Sequence, residues 1–316
     1  MAYNRPWLTF QQQLDQLKNR GMVVTDESAA LDYLQRIGYY RLSGYWYPFR
    51  IFQQNKATDQ FVPDTQFLDA VNLYLFDKKL RLFVLDALER IEVSLRVDLA
   101  YQLGQRNAFA HTDIKQFHPS FVRRKVSGGQ QTMFDAWLSK YQGLVSRSKE
   151  DFVRHYLATH GPELPVWVAV EVFDFGALSQ LISMMKIADQ QTIADKYGVS
   201  DWQVFNSWIF ALSYLRNLVA HHSRLWNRNI TANPKPPKQI SRTWHKAVIQ
   251  DKELLAKPFV LLAITMDLLH KICPNTQLPS RLIEHFQQFP EQHSAKKLSL
   301  SSMGLVGNLR EWLAGK

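Results

Sequence analysis

The sequence predicts an all-α protein. Three observations carry this. Apolar residues recur three or four apart through most of the chain, cap signals and glycines bracket those stretches, and no pair of alternating segments makes a convincing hairpin.

Thr9 with Gln12 has the spacing of a capping box, and Leu14 and Leu17 continue an apolar stripe that Gly21 stops. Asp26 opens a second helix through Ala30, Leu31, Leu34 and Ile37, closed by Gly38. An aromatic and basic stretch follows from Tyr39 to Arg50. From Phe67 to Leu103 the pattern is one long helix, with Phe76, Leu80, Phe83, Ala87, Ile91, Leu95 and Leu99 in register and Gly104 at its end. The stretch from Gln105 to Gln131 is loop-like, broken by Pro119 and Gly128-Gly129. Ser148 with Asp151 caps a helix ending at Gly161. Pro165 then starts a helix through Val172, and another begins near Gly176 and runs through Met185. Ser200 with Gln203 reads as a second capping box, opening a helix to about Arg224. Asn233 to Lys238, with three prolines, reads as a linker or rigid loop. Helices are expected over Trp244–Ile272 and Leu278–Phe289, with a polar break at Glu291 to Lys297. This divides the chain into an N-terminal helical and aromatic segment (1–66), a helical core (67–232) and a helical extension (233–316).

Composition narrows the class. With 46% hydrophobic and 21% charged residues, the 316-residue chain has the balance of a folded globular protein. The single cysteine, Cys273, excludes an internal disulfide and a two-thiol metal or redox site, so a reducing cytoplasm is the expected home. Asn4, Arg5 and Pro6 stand where a secretory leader needs an apolar run. The most apolar stretch, Phe259 to Leu269, is about half the ~20 residues a membrane span needs and contains Asp267. A net charge of +10 favours polyanions, nucleic acid first among them.

The candidate site lies at the end of the helix that Ser200 opens: Arg216, Asn217, His221, His222, Arg224, Asn227 and Arg228 fall within thirteen residues. Arg216 lies inside the apolar face formed by Phe205, Trp208, Ile209, Leu212, Leu215 and Val219. An arginine there is costly unless an anion or carboxylate pairs with it. Histidine is the side chain suited to taking a proton from an RNA 2′-hydroxyl or giving one to the leaving 5′-oxygen. Arginine neutralises charge on the phosphoryl oxygens. The trio Arg216, Asn217 and His221 needs neither metal nor cofactor for that chemistry. The alternative is an internal strut, with Arg216 bridged to a neighbouring helix and both histidines merely exposed. On a straight helix Arg216 and His221 point roughly 140° apart. A shared site therefore requires a distorted helix end, a seam between two chains or a second motif.

An ordered set of segments resembles the Abi-like abortive-infection family (AbiD/AbiF type). It includes Leu8-Thr9-Phe10, Tyr39 to Trp46 with Pro48-Phe49, and Leu73-Tyr74 with Phe76-Asp77. It continues through Glu89 to Glu92, Leu164 to Trp167, Leu215-Arg216-Asn217 with Ala220-His221-His222, and Leu225 to Arg228. Met303-Gly304 and Trp312 resemble the family's closing segment. The resemblance implies a HEPN-like helical bundle with additional N- and C-terminal helices, serving phage defence as an RNA-directed toxin. It also implies an Arg-x4-6-His motif that cleaves RNA without metal when two copies pair, hence a homodimer. Arg216, Asn217 and His221 match that motif, and His222 fits its looser spacing.

Arg106-Asn107-Ala108-Phe109-Ala110-His111 repeats the Arg-Asn-x-x-x-His spelling, either as a second half-site or by coincidence in a loop. Further RNA contacts are expected from Arg41 in the aromatic stretch and from Arg123, Arg124 and Lys125. Glu92 either orients a catalytic group or serves as the buried partner of an arginine. Glu171 and Asp174 are expected in salt bridges, one of them to Arg216. The expected function is a metal-independent endoribonuclease acting on host, phage or regulatory RNA. Its rivals are a non-catalytic RNA-binding protein in complex with a structured regulatory RNA, and a protein-interaction effector that arrests host growth.

Overall fold

A computed structural model describes residues 6–314, so Asn4 and Arg5, which the sequence reading sets against a secretory leader, lie outside the described residues. The fold is all-α as expected: 63% of the structure is helical, beside one small two-stranded sheet.

The helices are α1 (Phe10–Asn19), α2 (Glu27–Ile37), α3 (Tyr39–Trp46), α4 (Phe67–Gly104), α5 (Pro119–Val122), α6 (Met133–Arg147), α7 (Asp151–His160), α8 (Val166–Ala169), α9 (Phe175–Met184), α10 (Ile187–Lys196), α11 (Trp202–Ala220), α12 (Thr243–Gln250), α13 (Pro258–Ile272), α14 (Leu278–Gln287) and α15 (Leu309–Leu313). The capping box expected at Thr9 and Gln12 forms in both directions. The Asp26 carboxylate caps α2 as expected.

Helix α4 is the spine. At 38 residues it is about 57 Å long, and α3, α8, α9, α11, α13 and α14 all pack on it. Leu80, Val84, Leu88, Ile91, Leu95 and Leu99 form the buried stripe of this helix, and its opposite side stays in solvent at Val93 and Val97. The contiguous core draws on every part of the chain, from Leu14 and Leu34 through Leu95 and Phe205 to Phe286 and Trp312.

Four expectations are corrected. The aromatic stretch, to which the sequence assigns no element, forms a helix over Tyr39–Trp46 that buries Leu42, Tyr45 and Trp46 against α4. After it comes a hairpin, β1 (Arg50–Gln53) with β2 (Lys56–Phe61), antiparallel with Gln53 opposite Lys56 and a bulge between Arg50 and Phe52. Its two turn residues, Gln54 and Asn55, both have positive φ (48° and 63°), the geometry of a tight hairpin turn normally spelled with Asn-Gly. Helices α6 and α10 were not anticipated, and the expected Trp244–Ile272 helix is broken before Pro258, which starts α13. Finally, Asp201 rather than Ser200 caps α11, its carboxylate accepting from the Val204 N–H at 2.9 Å, and the helix stops at Ala220 rather than Arg224.

The Pro/Lys stretch is strapped onto α11. Trp208 Nε1 donates to the Lys235 carbonyl at 2.9 Å, the Lys235 N–H donates to Ser207 Oγ at 2.9 Å, and Lys238 pairs with Asp201.

One buried carboxylate ties the spine to the chain leaving α11. Asp77, fully buried on α4, pairs with Arg81 and accepts from the Tyr45 hydroxyl at 2.6 Å. It also accepts from the backbone N–H groups of Leu225 (3.2 Å) and Trp226 (2.6 Å). Burial raises its carboxyl above the usual range in spite of these partners. Asp77→Ala leaves Arg81 unpaired and two N–H groups without an acceptor, and is expected to lower stability by about 3–5 kcal/mol in chemical denaturation. A loss below about 1 kcal/mol would show that the cluster does not anchor this junction.

Candidate functional site

The site is built where α11 ends against α3 and the middle of α4. Helix α11 buries Phe205, Trp208, Ile209, Leu212, Leu215 and Val219 as its apolar pattern requires. Arg216 sits at the edge of that face, its side chain one-third exposed (33%). Its Nε lies 3.4 Å from Oε2 of Glu92, a nearly buried carboxylate on α4. The same Glu92 holds Arg96 at 2.8 Å, and Arg96 reaches on to Glu171 at 3.4 Å and to the Phe173 carbonyl at 2.8 Å. Glu92 is thus shared between two arginines.

Asp174 lies on the other side of this network. It caps α9 through the Ala177 N–H and pairs with Lys140 at 2.8 Å. Burial opposes its ionisation, but Lys140, the Ala177 N–H and the charge of Arg216 outweigh that and hold its carboxyl below the usual range. The expected salt bridges of Glu171 and Asp174 are present, but their direct partners are Arg96 and Lys140. Arg216 pairs with Glu92.

Asn217 and His221 point away from this network. Both are exposed, and their side chains make no hydrogen bond within the described residues. The helix closes immediately beyond them. The His222 N–H donates to the Val219 carbonyl (3.1 Å) and the Ser223 N–H to the Leu218 carbonyl (3.0 Å), the paired bonds of a Schellman cap. In that cap the residue after the C-cap takes a left-handed conformation. Here it is His222, at φ 56°, where glycine is the usual occupant.

The reversal carries the chain back over α3. Arg41 Nη1 donates to the His222 carbonyl at 2.8 Å, and Arg224 Nη1 donates to the Gly44 carbonyl. Leu225 and Trp226 then lock onto Asp77, and Arg228 Nε donates to the Tyr214 hydroxyl at 3.3 Å. Asn227, with φ 45°, makes the next bend. The structure therefore gathers Arg41, His222 and Arg224 at one junction, with Asn217 and His221 on the adjoining exposed helix end and Asn227 and Arg228 just beyond.

The other candidates lie elsewhere. Arg123, Arg124 and Lys125 are exposed beyond α5, alongside the other end of α11. In the second spelling, Arg106 pairs with Asp189, and Asn107 Oδ1 accepts from the Phe109 N–H at 2.9 Å. His111 is fully buried, edge-on to Tyr141 at 5.1 Å between centroids, and burial pushes its pKa down to about 4. A neutral imidazole enclosed in the core has no route to a phosphate, so this spelling is a coincidence of packing and not a second half-site. Among the described residues no group of three or more His, Cys, Asp or Glu side chains is placed to hold a metal ion. Nor is any helix long and apolar enough to cross a membrane.

The residues that sequence reasoning missed here are Asp77 and Tyr45. The available signal was Asp77 with Arg81, two opposite charges one helical turn apart inside an otherwise apolar run.

The left-handed cap gives a direct test. A non-glycine residue in that conformation costs roughly 1 kcal/mol, so His222→Gly is expected to raise or preserve thermal stability. If the imidazole contacts RNA, the same variant loses affinity while gaining stability. Equal loss of both would assign His222 to packing alone.

Comparison with known proteins covers much of this assembly. A family model described as Abi-like protein matches residues 32–227, from within α2 to the bend after α11, and so includes Asp77, Glu92, Arg216 and His221. No curated protein and no solved structure matches the chain. The match spans more than half of the chain, and the protein belongs to the Abi-like family, whose role is abortive infection, a defence against phage.

Proposed function

We propose that the protein is a metal-independent endoribonuclease of HEPN-like type, acting as a homodimer. The observation that carries this is the end of α11. A phosphate-binding type of side chain, Arg216, is held by a buried carboxylate, while Asn217 and His221 stand free on the solvent side next to Arg41, Arg224 and Arg228. A net charge of +10 supports a polyanionic substrate.

In this reading His221 takes the proton from a ribose 2′-hydroxyl as the 2′-oxygen attacks phosphorus. The bond from phosphorus to the 5′-oxygen breaks, and a second histidine protonates the leaving oxygen. The products are a 2′,3′-cyclic phosphate and a 5′-hydroxyl. Arg216 neutralises the equatorial oxygens, and Asn217 orients the phosphate or the imidazole.

One chain supplies one such motif, and its Arg216 and His221 diverge around the helix. A seam between two copies resolves both difficulties. Its support is an exposed apolar strip on α4 continuous with the Glu92 network: Val93, Val97 and Tyr101, four residues apart, with Trp167 alongside. Val97, Tyr101 and Trp167 frame a depression of about 410 Å³ whose edge is Glu171, the partner of Arg96.

A second reading, an RNA-binding protein that does not cleave, is favoured by one feature: Glu92 and Asp174 already offset the charge of Arg216.

The deciding experiment incubates the protein with labelled RNA in EDTA. Cleavage leaving cyclic phosphate ends is expected, reduced by about 100-fold or more in Arg216→Ala and in His221→Ala. Undiminished RNA binding without cleavage by the wild type would establish the binding protein instead. No RNA affinity at moderate salt would favour an effector that acts on host protein. Separately, Val97→Glu is expected to shift the dimer to monomer in light scattering and to abolish cleavage, since it places a charge in the middle of the strip. A Val97→Glu protein that remains dimeric and active would move the seam elsewhere.

A further inference from the structure

A second surface feature lies along the same helix as the motif, toward its N-terminal end. It is a groove of about 510 Å³ whose lining includes Phe121, Trp202, Phe210 and Met184, with Arg124 and Lys235 among its polar residues. Phe121 and Trp202 pack together at 5.8 Å between centroids, and Phe210 follows eight residues after Trp202 on α11. Phe210 is 60% exposed on a helix that buries nearly all its other apolar side chains.

Two properties define what this groove accepts. It presents aromatic faces, and no carboxylate lines it. Arg124 and Lys235 have no ion-pair partner among the described residues, and Arg123 and Lys125 add positive charge beside Arg124. An exposed ring beside a half-buried aromatic pair, with cations that form no ion pair at its margin, suits bases whose faces are free and whose backbone is anionic. A duplex hides those faces in its own stack.

The groove is also aligned with the motif. Residues seven and eleven positions after Phe210 are Asn217 and His221. At about 100° per residue, all three fall within roughly 40° on one face of α11. The axial distance from Phe210 to His221 is roughly 16 Å, about the length of five stacked nucleotides at 3.4 Å each.

We propose that this groove is a base-stacking subsite for single-stranded RNA whose strand continues along α11 to Asn217 and His221. The proposal rests on the RNA reading above and names its substrate class: an unpaired strand, engaged by stacking several nucleotides from the scissile phosphate.

The test measures binding of a 5′-labelled 2′-O-methyl-uridine 12-mer, which lacks the attacking hydroxyl and stays intact, and of a blunt duplex of equal length. Phe210→Ala is expected to weaken the single strand by roughly tenfold and leave the duplex unchanged. Phe210→Tyr should bind as the wild type does. Phe210→Leu, which keeps apolar bulk without a ring face, should fail like alanine; binding at wild-type strength by the leucine variant would instead mark an apolar peptide groove and overturn the proposal. Arg124→Gln should reduce the salt dependence of binding by one phosphate contact, a slope change of about 0.7. The proposal also falls if Phe210→Ala binds the 12-mer within twofold of wild type, or if the wild type does not bind it. Failure of the nuclease reading is distinguishable. Loss of 12-mer binding in Phe210→Ala with no cleavage by the wild type keeps the subsite and removes the enzyme. His221-dependent cleavage with unaltered Phe210→Ala binding does the reverse.

Discussion

The position of the candidate site depends on a carboxylate that contacts no candidate residue. Asp77 is fully buried in the spine helix and joins three elements that are far apart in sequence. Arg81 lies on its own helix, the Tyr45 hydroxyl comes from α3, and two backbone N–H groups come from the chain just past α11. An unpaired charge in that place would be prohibitive, so the arrangement is all or nothing. By fixing Leu225 and Trp226 it fixes the end of the reversal that begins at His221. The two histidines are thus held between a helix on one side and a buried anchor on the other. That explains how a left-handed His222 is maintained: the surrounding bonds determine the backbone there more strongly than the residue's own preference.

Glu92 plays a comparable part for Arg216. A carboxylate shared by two arginines leaves each of them incompletely neutralised, and Arg216 keeps a third of its side chain in contact with solvent. Such an arginine is positioned but not saturated. It is oriented by Glu92, biased further by Asp174, and still able to meet an anion approaching from outside. On the proposed reading, the structural strut and the phosphate-binding group are the same side chain seen from its two ends.

The parts legible in the sequence were those with a local cause. Thr9 with Gln12, Asp26 and the long apolar period of α4 are each decided within a few residues, and each appears as expected. The end of α11 was legible only in part. Its apolar face was evident, but the helical pattern runs on past Ala220, and the stop is imposed by Asp77 gripping Leu225 and Trp226 from a helix more than a hundred residues away. The hairpin failed for a local reason, since Gln54-Asn55 adopts a turn geometry its residue types do not advertise. Tyr39–Trp46 was obscured because a helix with buried aromatic rings and a glycine has weak propensity and forms by packing on α4. The two Arg-Asn-x-x-x-His spellings show the limit most clearly. Identical in pattern, they part company through burial alone, His111 enclosed against Tyr141 and His221 in solvent.

The same contrast bears on how α11 divides its labour. Its inward face secures the core through Phe205, Leu212 and Leu215, and its edge delivers Arg216 to Glu92. The outward face carries Phe210, Asn217 and His221, none of which the core requires. An exposed phenylalanine in line with an exposed amide and an exposed imidazole gains nothing for folding, and the hydrophobic effect opposes leaving the ring in water. Arg124 and Lys235, beside the groove that this ring helps to line, likewise form no ion pair among the described residues. Both features make sense together as a track for an anionic strand with exposed bases. On the proposed RNA reading, the helix that organises the interior also sets the distance between where a strand would stack and where its phosphate would meet His221.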